Sequence, residues 1–154
     1  MVVLKGIPFV LSPELLYVLA RMGHGDEIVL ADANFPVSSI SRSGPELIRA
    51  DGLGIPRLLK AVLQLFPMDT YVPKPAAVMD LVDSDKKKGL KAPVWDEYKE
   101  LLSQAGCDAP IEQVERFSFY ERAKNAFAVV ATGETALYGN LILKKGVIQP
   151  SDLV

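Results

Sequence analysis

SPELLYVLARMGHGDEIVLADA, residues 12–33, decides the fold. Ser12 followed by Pro13 has the form of a helix N-cap with a first-turn proline, and PELLYVLARM carries the apolar face of a helix. Gly23 suits a left-handed helix stop. EIVLADA follows at once and is apolar on both faces, the pattern of a strand covered on both sides. A helix leading into such a strand points to α/β packing, and the alternation continues along the chain.

Outward from that stretch, ANFPVSSISRSGP reads as a loop of Ser, Pro and Gly, and ELIRADG as a short strand running into a turn. PRLLKAVLQLF is a second helix, ended by Pro67, and AAVMDLVD a second clear strand. DSDKKKGLKAP is a solvated run, read as an exposed loop. PVWDEYKELLSQAG is a third helix with a proline start and a glycine stop, and IEQVERF is short and alternating. Ser118 to Glu121, SFYE, has the spacing of a capping box, which predicts a fourth helix over FYERAKNAF with Tyr120 in its first turn. AFAVVATG and LYGNLILKKG close the chain as two strands around TGET. The expected architecture is one compact α/β domain over residues 1–154, with a sheet of about five to six strands flanked by about four helices. In such sheets ligands collect beyond the carboxyl ends of strands, which directs attention to Asp32 and to TGET.

Composition removes several classes of function. With 17 basic against 19 acidic residues and a net charge of −2, the chain has no electrostatic footprint for nucleic acid or an anionic membrane. No apolar run approaches the roughly 18 residues that span a bilayer, and MVVLKGIP lacks the layout of a signal peptide, so a cytoplasmic location is expected. Cys107 is the single cysteine and His24 the single histidine. Zinc chemistry would have to rest mainly on carboxylates and is set aside, so no metal is expected. A Cys107–His24 nucleophilic pair has nothing to support it, since Cys107 sits in the polar turn AGCDAP. Gly52 and Gly54 in DGLG are too few and too badly flanked for a phosphate loop.

The remaining polar residues each have a plain reading beside a chemical one. His24 after a helix is either a C-terminal cation or an exposed acid/base group. Asp32 either caps a turn or faces a ligand, and Asp69 in PMDTY follows a helix and a proline as a turn residue would. Tyr120 and Tyr138 fit amphipathic core positions with satisfied hydroxyls.

Taken together, LSPELLYVLARMGHGDEIVLADANFP, IRADG and ERFSFYERAKNAFAVVATGETALYGNLILKKGV resemble the fucose branch of the ribose pyranase/fucose mutarotase family, from about Leu4 to Val147. The resemblance implies an isomerase that interconverts the α and β anomers of L-fucose or a related monosaccharide, with no metal and no organic cofactor. An anomer changes only if the ring opens at C1, so one group must protonate the ring oxygen while another takes the proton of the anomeric hydroxyl. Histidine, with an ordinary pKa of about 6.5, can do either.

By the same resemblance His24 in GHGD is catalytic, Asp69 in MDTY is its acidic partner and Tyr120 in FYERAK is the second acid/base group at C1. A phenol with an ordinary pKa of about 10 needs a cation or a helix N-terminus nearby, and Arg116 and Arg122 are close in sequence. Asp32 in LADA is a substrate-binding carboxylate, Tyr138 and Asn140 in LYGN belong to a sugar-binding loop, and Arg116 and Met79 line the pocket. The chain reads DANFP where bacterial members of the branch tend to read DAHFP, so Asn34 replaces a second histidine. The resemblance further implies a homo-oligomer whose sites are shared between subunits. A non-catalytic monosaccharide-binding protein of the same fold is the alternative, and retention of His24, Asp69 and Tyr120 together favours the enzyme.

Overall fold

A computed structural model describes residues 3–154; Met1 and Val2, the start of MVVLKGIP, lie outside the described residues. Among the described residues are six helices, α1 (Pro13–Arg21), α2 (Val37–Ser41), α3 (Ile55–Val62), α4 (Asp83–Lys87), α5 (Val94–Gln104) and α6 (Arg116–Lys124), and six strands, which alternate except where α5 follows α4 and where the last two strands are consecutive. The strands are β1 (Glu27–Ala31), β2 (Glu46–Ala50), β3 (Ala76–Met79), β4 (Glu112–Val114), β5 (Ala128–Thr132) and β6 (Leu141–Lys144). A short 3₁₀ turn over Pro150–Asp152 follows.

The strands form one mixed sheet in the order β2-β5-β1-β6-β3-β4. β1 pairs parallel with β5, β5 with β2 and β3 with β4, whereas β6 runs antiparallel to both β1 and β3. The segments on either side of TGET therefore do not pair with each other, because β1 lies between them. Both faces are covered, as the unbroken apolar runs require. Ile28 and Leu30 of β1 face one core with Leu15, Leu58 and Tyr98. Val29 and Ala31 face a second with Phe35, Phe119 and Ile142. The anticipated α/β architecture is thus present, with one strand reversed and two short helices added.

The added helices are α2, inside the segment read as a Ser/Pro/Gly loop, and α4, inside the segment read as an exposed loop. Each has five residues; α2 buries only Ile40 and α4 buries nothing, so neither leaves an apolar stripe in the sequence. Two terminus readings are also corrected. At the end of α1 the left-handed residue is Gly25 (φ 88°), not Gly23, and the last carbonyls are held by Lys145, whose Nζ donates to the Leu19 and Met22 oxygens at 2.9 and 2.6 Å. At α6 the cap is Glu115, whose carboxylate accepts from the Phe117 and Ser118 amides, both at 3.0 Å. The helix begins before SFYE, and Tyr120 stands in its second turn.

Candidate functional site

All strands but β6 point the same way, so their carboxyl ends meet at one edge of the sheet, where β6 begins. Asp32 leaves β1 there, Met79 ends β3, Arg116 opens α6 just after β4, and Tyr138 and Asn140 lead into β6. These residues and Tyr120 line one cleft of about 390 Å³, together with Asn34, Phe35, Val82, Asp85 and Leu137. A volume in the small-ligand range, edged by a few convergent polar groups, suits a monosaccharide. Six of the expected site residues are thereby brought together.

Asp32 is held firmly in this cleft. Its amide donates to Asn140 Oδ1 at 2.7 Å, and its own Oδ1 accepts from the Asn34 amide at 3.0 Å. It is only 7% exposed, and burial pushes its carboxyl above the ordinary range despite the amides of Asn34, Gly139 and Phe35, which pull it down. A raised pKa in the folded state means that ionisation costs stability above that pKa, and the cost is relieved as pH falls through it. Asp32→Asn should therefore melt at or above the wild-type temperature at pH 7 while losing about tenfold or more in sugar affinity. Thermal melts and sugar titration check this; a lower melting temperature with undiminished affinity would make Asp32 a structural residue.

Tyr120 packs its ring edge against Phe35 at 5.6 Å between centroids, and its hydroxyl accepts from Arg116 Nε at 3.2 Å. The Arg116 guanidinium also lies 5.6 Å from the centre of the Tyr120 ring. Arg122 is not a second cation for this phenol. It grips Glu27 at 2.6 Å and Glu112 at 2.7 Å, tying α6 to the far ends of β1 and β4. Glu134 of TGET is likewise structural: it accepts from the Ile55 amide at the start of α3 and from the Ala136 amide.

His24 and Asp69 pair as expected, with Nε2 and Oδ1 3.0 Å apart, but at the opposite edge of the sheet. His24 precedes β1 and Asp32 follows it, so a five-residue strand separates them, roughly 17 Å at the ~3.3 Å rise per residue. Asp69 is 3% exposed. Burial pushes its carboxyl up, but the Tyr71 amide, His24 and the Lys144 charge together bring it below the ordinary range. Gly146 makes this placement possible, since a Cβ there would lie 2.5 Å from the Met68 carbonyl oxygen and 2.9 Å from Asp69 Cα. The His24 side chain is 45% exposed, and its ring stands 5.1 Å from that of Tyr71, itself 74% exposed. Sequence reasoning missed Tyr71, which closes the MDTY motif read only for Asp69, and Asp85, which sits in no motif that marks it.

The fold is thus a mixed α/β sheet with a polar cleft of small-ligand size on one edge and a half-exposed His–Asp pair on the other. The pattern of the RbsD / FucU transport protein family matches residues 5–148, and the chain belongs to this family. It is 72% identical to a fucose mutarotase of Danio rerio over 99% of both chains, and 70% identical to a fucose mutarotase of Homo sapiens over the whole of both. Its fold is similar to the crystal structure of the fucose mutarotase from Streptococcus pneumoniae in complex with L-fucose, with a TM-score of 0.87, 48% identity and coverage of 95% of this chain and 100% of that one.

Proposed function

We propose that the protein interconverts the α and β anomers of L-fucose. The observation that carries this reading is the full-length identity of 70% with a fucose mutarotase. The cleft's chemistry agrees with it: Asp32 and Asn140 offer hydrogen-bond partners to sugar hydroxyls, and Phe35 and Met79 supply apolar surface for ring carbons.

In the reaction a base removes the proton of the C1 hydroxyl as an acid protonates the ring oxygen. The bond between C1 and the ring oxygen breaks, and the C1 hydroxyl oxygen becomes the aldehyde oxygen. Rotation about the bond from C1 to C2 presents the other face of the aldehyde. Closure reverses both proton transfers and gives the opposite anomer. His24 and Tyr120 are the proton carriers in this proposal, with Asp69 orienting the imidazole at 3.0 Å and Arg116 holding the phenol oxygen at 3.2 Å. Positioned proton transfer of this kind is worth roughly 10²–10⁴-fold.

The separation of the two half-sites supports a shared site. A monosaccharide cannot reach from Tyr120 to His24 of the same chain across the length of β1, so the histidine comes from a second copy in a homo-oligomer. An isolated subunit would be a monosaccharide-binding protein without catalysis, the second reading that the geometry favours. Among the described residues no helix is long and apolar enough to cross a membrane, and the proposed setting is the cytoplasm. Saturation transfer between the two anomeric protons of L-fucose tests the function. Faster exchange on adding protein is expected; line broadening without exchange would leave only binding.

A further inference from the structure

Tyr138 is the only non-glycine residue with a left-handed backbone (φ 58°) among the described residues. That conformation is costly for a tyrosine and persists only where its surroundings over-determine it. From behind, Trp95 Nε1 donates to the Tyr138 carbonyl at 2.9 Å, and the buried Tyr98 hydroxyl donates to the Gly139 carbonyl at 2.6 Å. From the front, the Tyr138 hydroxyl donates to Asp85 Oδ2 at 2.5 Å and accepts from the Val82 amide at 3.2 Å. The hydroxyl's single proton is therefore committed to Asp85, and it has none left to give a sugar.

Asp85 stands in α4, a helix with no buried side chain, and it lines the cleft with Tyr138, Arg116 and Asp32. Its other carboxylate oxygen, Oδ1, has no hydrogen-bond partner among the described residues. Lys86, its neighbour, pairs instead with Asp80 at 2.9 Å. One carboxylate thus fastens α4 to the strained tyrosine and leaves an acceptor at the cleft.

We infer that Asp85 is a positioning residue for sugar binding, which fixes the Tyr138 ring as one wall of the cleft and thereby sets the affinity for the sugar without taking part in proton transfer. The inference rests on the reading of the cleft as the sugar site. It separates two parts of the cleft: Tyr120 and Arg116 bear on the rate of proton transfer, whereas Asp85 and Tyr138 bear on how tightly the ring is held.

The test is a mutant cycle of Asp85→Ala, Tyr138→Phe and the double variant, read by KM and kcat for L-fucose exchange, with Asp85→Asn as the conservative control. Asp85→Ala should raise KM about tenfold and leave kcat within about twofold. Tyr138→Phe should raise KM at least as much, since it also leaves the Val82 amide without its acceptor, and the double variant should be no worse than Tyr138→Phe, in which the Asp85–Tyr138 contact is already broken. Asp85→Asn, whose amide oxygen still accepts from the phenol, should recover most of the affinity. An unchanged KM in Asp85→Ala, additive effects in the double variant, or a fall in kcat alone would each overturn the inference. Should Asp85→Ala fold poorly, Asp85→Asn and Tyr138→Phe still decide, since the inference requires Tyr138→Phe to weaken binding more than Asp85→Asn. In ¹³C-tyrosine spectra the Tyr138 ring signal should move in Asp85→Ala with no sugar present. That signal moving while the wild type fails to exchange L-fucose would sink the proposed function and not the Asp85–Tyr138 contact.

Discussion

Replacing His24 by Ala should slow L-fucose anomer exchange by roughly 10²–10⁴-fold and leave the fold intact. The expectation of an intact fold follows from position. His24 contributes to neither core, its side chain is 45% exposed, and among the described residues its side chain hydrogen-bonds Asp69 alone. Asp69 keeps the Tyr71 amide when the imidazole is gone. Because Asp69 is buried, losing the imidazole is expected to cost about 1–3 kcal/mol, several degrees of melting temperature and short of unfolding a domain of this size. The measurement is the exchange rate beside a thermal melt. Near-wild-type exchange would remove the histidine from the mechanism, and a collapse of the melting temperature would recast it as structural.

The second large effect is expected from Tyr120→Phe, which deletes one hydroxyl and keeps the ring. Half-buried, with its edge against Phe35, the ring holds its place without the hydroxyl, and among the described residues the side chain that loses a partner is the exposed Arg116. If the hydroxyl served stability alone, its loss would cost about 0.5–1.5 kcal/mol and leave turnover almost unchanged. As a proton carrier at C1 it should instead cost roughly 10²-fold or more in rate while melting temperature and sugar affinity hold. A loss confined to affinity would assign Tyr120 to binding.

Much of this could be read from residues alone, and the failures share a cause. β1, β3 and β5 are short runs buried on both faces, and EIVLADA, AAVMDLVD and AFAVVATG announce that without any knowledge of their neighbours. α1 carries its own start signal in Ser12, whose Oγ accepts from the Leu15 amide at 3.1 Å. The start of α6 was obscured because SFYE imitates a capping box, while the working cap, Glu115, lies one residue outside the helix and has the less common side chain for the role. The order of strands was not legible at all. Pairing β1 between β5 and β6 joins residues a hundred or more positions apart, and no local pattern records it. Asp85 was hidden in the same way: in DSDKKKGLKAP it is one charge among several, and only the approach of Tyr138 from 53 positions away distinguishes it.

The separation of His24 from the cleft is the observation on which the proposed shared site rests, and mixing two inactive proteins tests it. His24→Ala and Tyr120→Phe subunits are each expected to be nearly silent. After subunit exchange in equal amounts, shown by mass labelling, a site drawing its histidine from one chain and its tyrosine from the next should hold both wild-type groups in about one case in four, so exchange of L-fucose should return to about a quarter of the wild-type rate. No recovery after demonstrated subunit exchange would mean that both groups serve a pocket within one chain, and the shared site would be wrong.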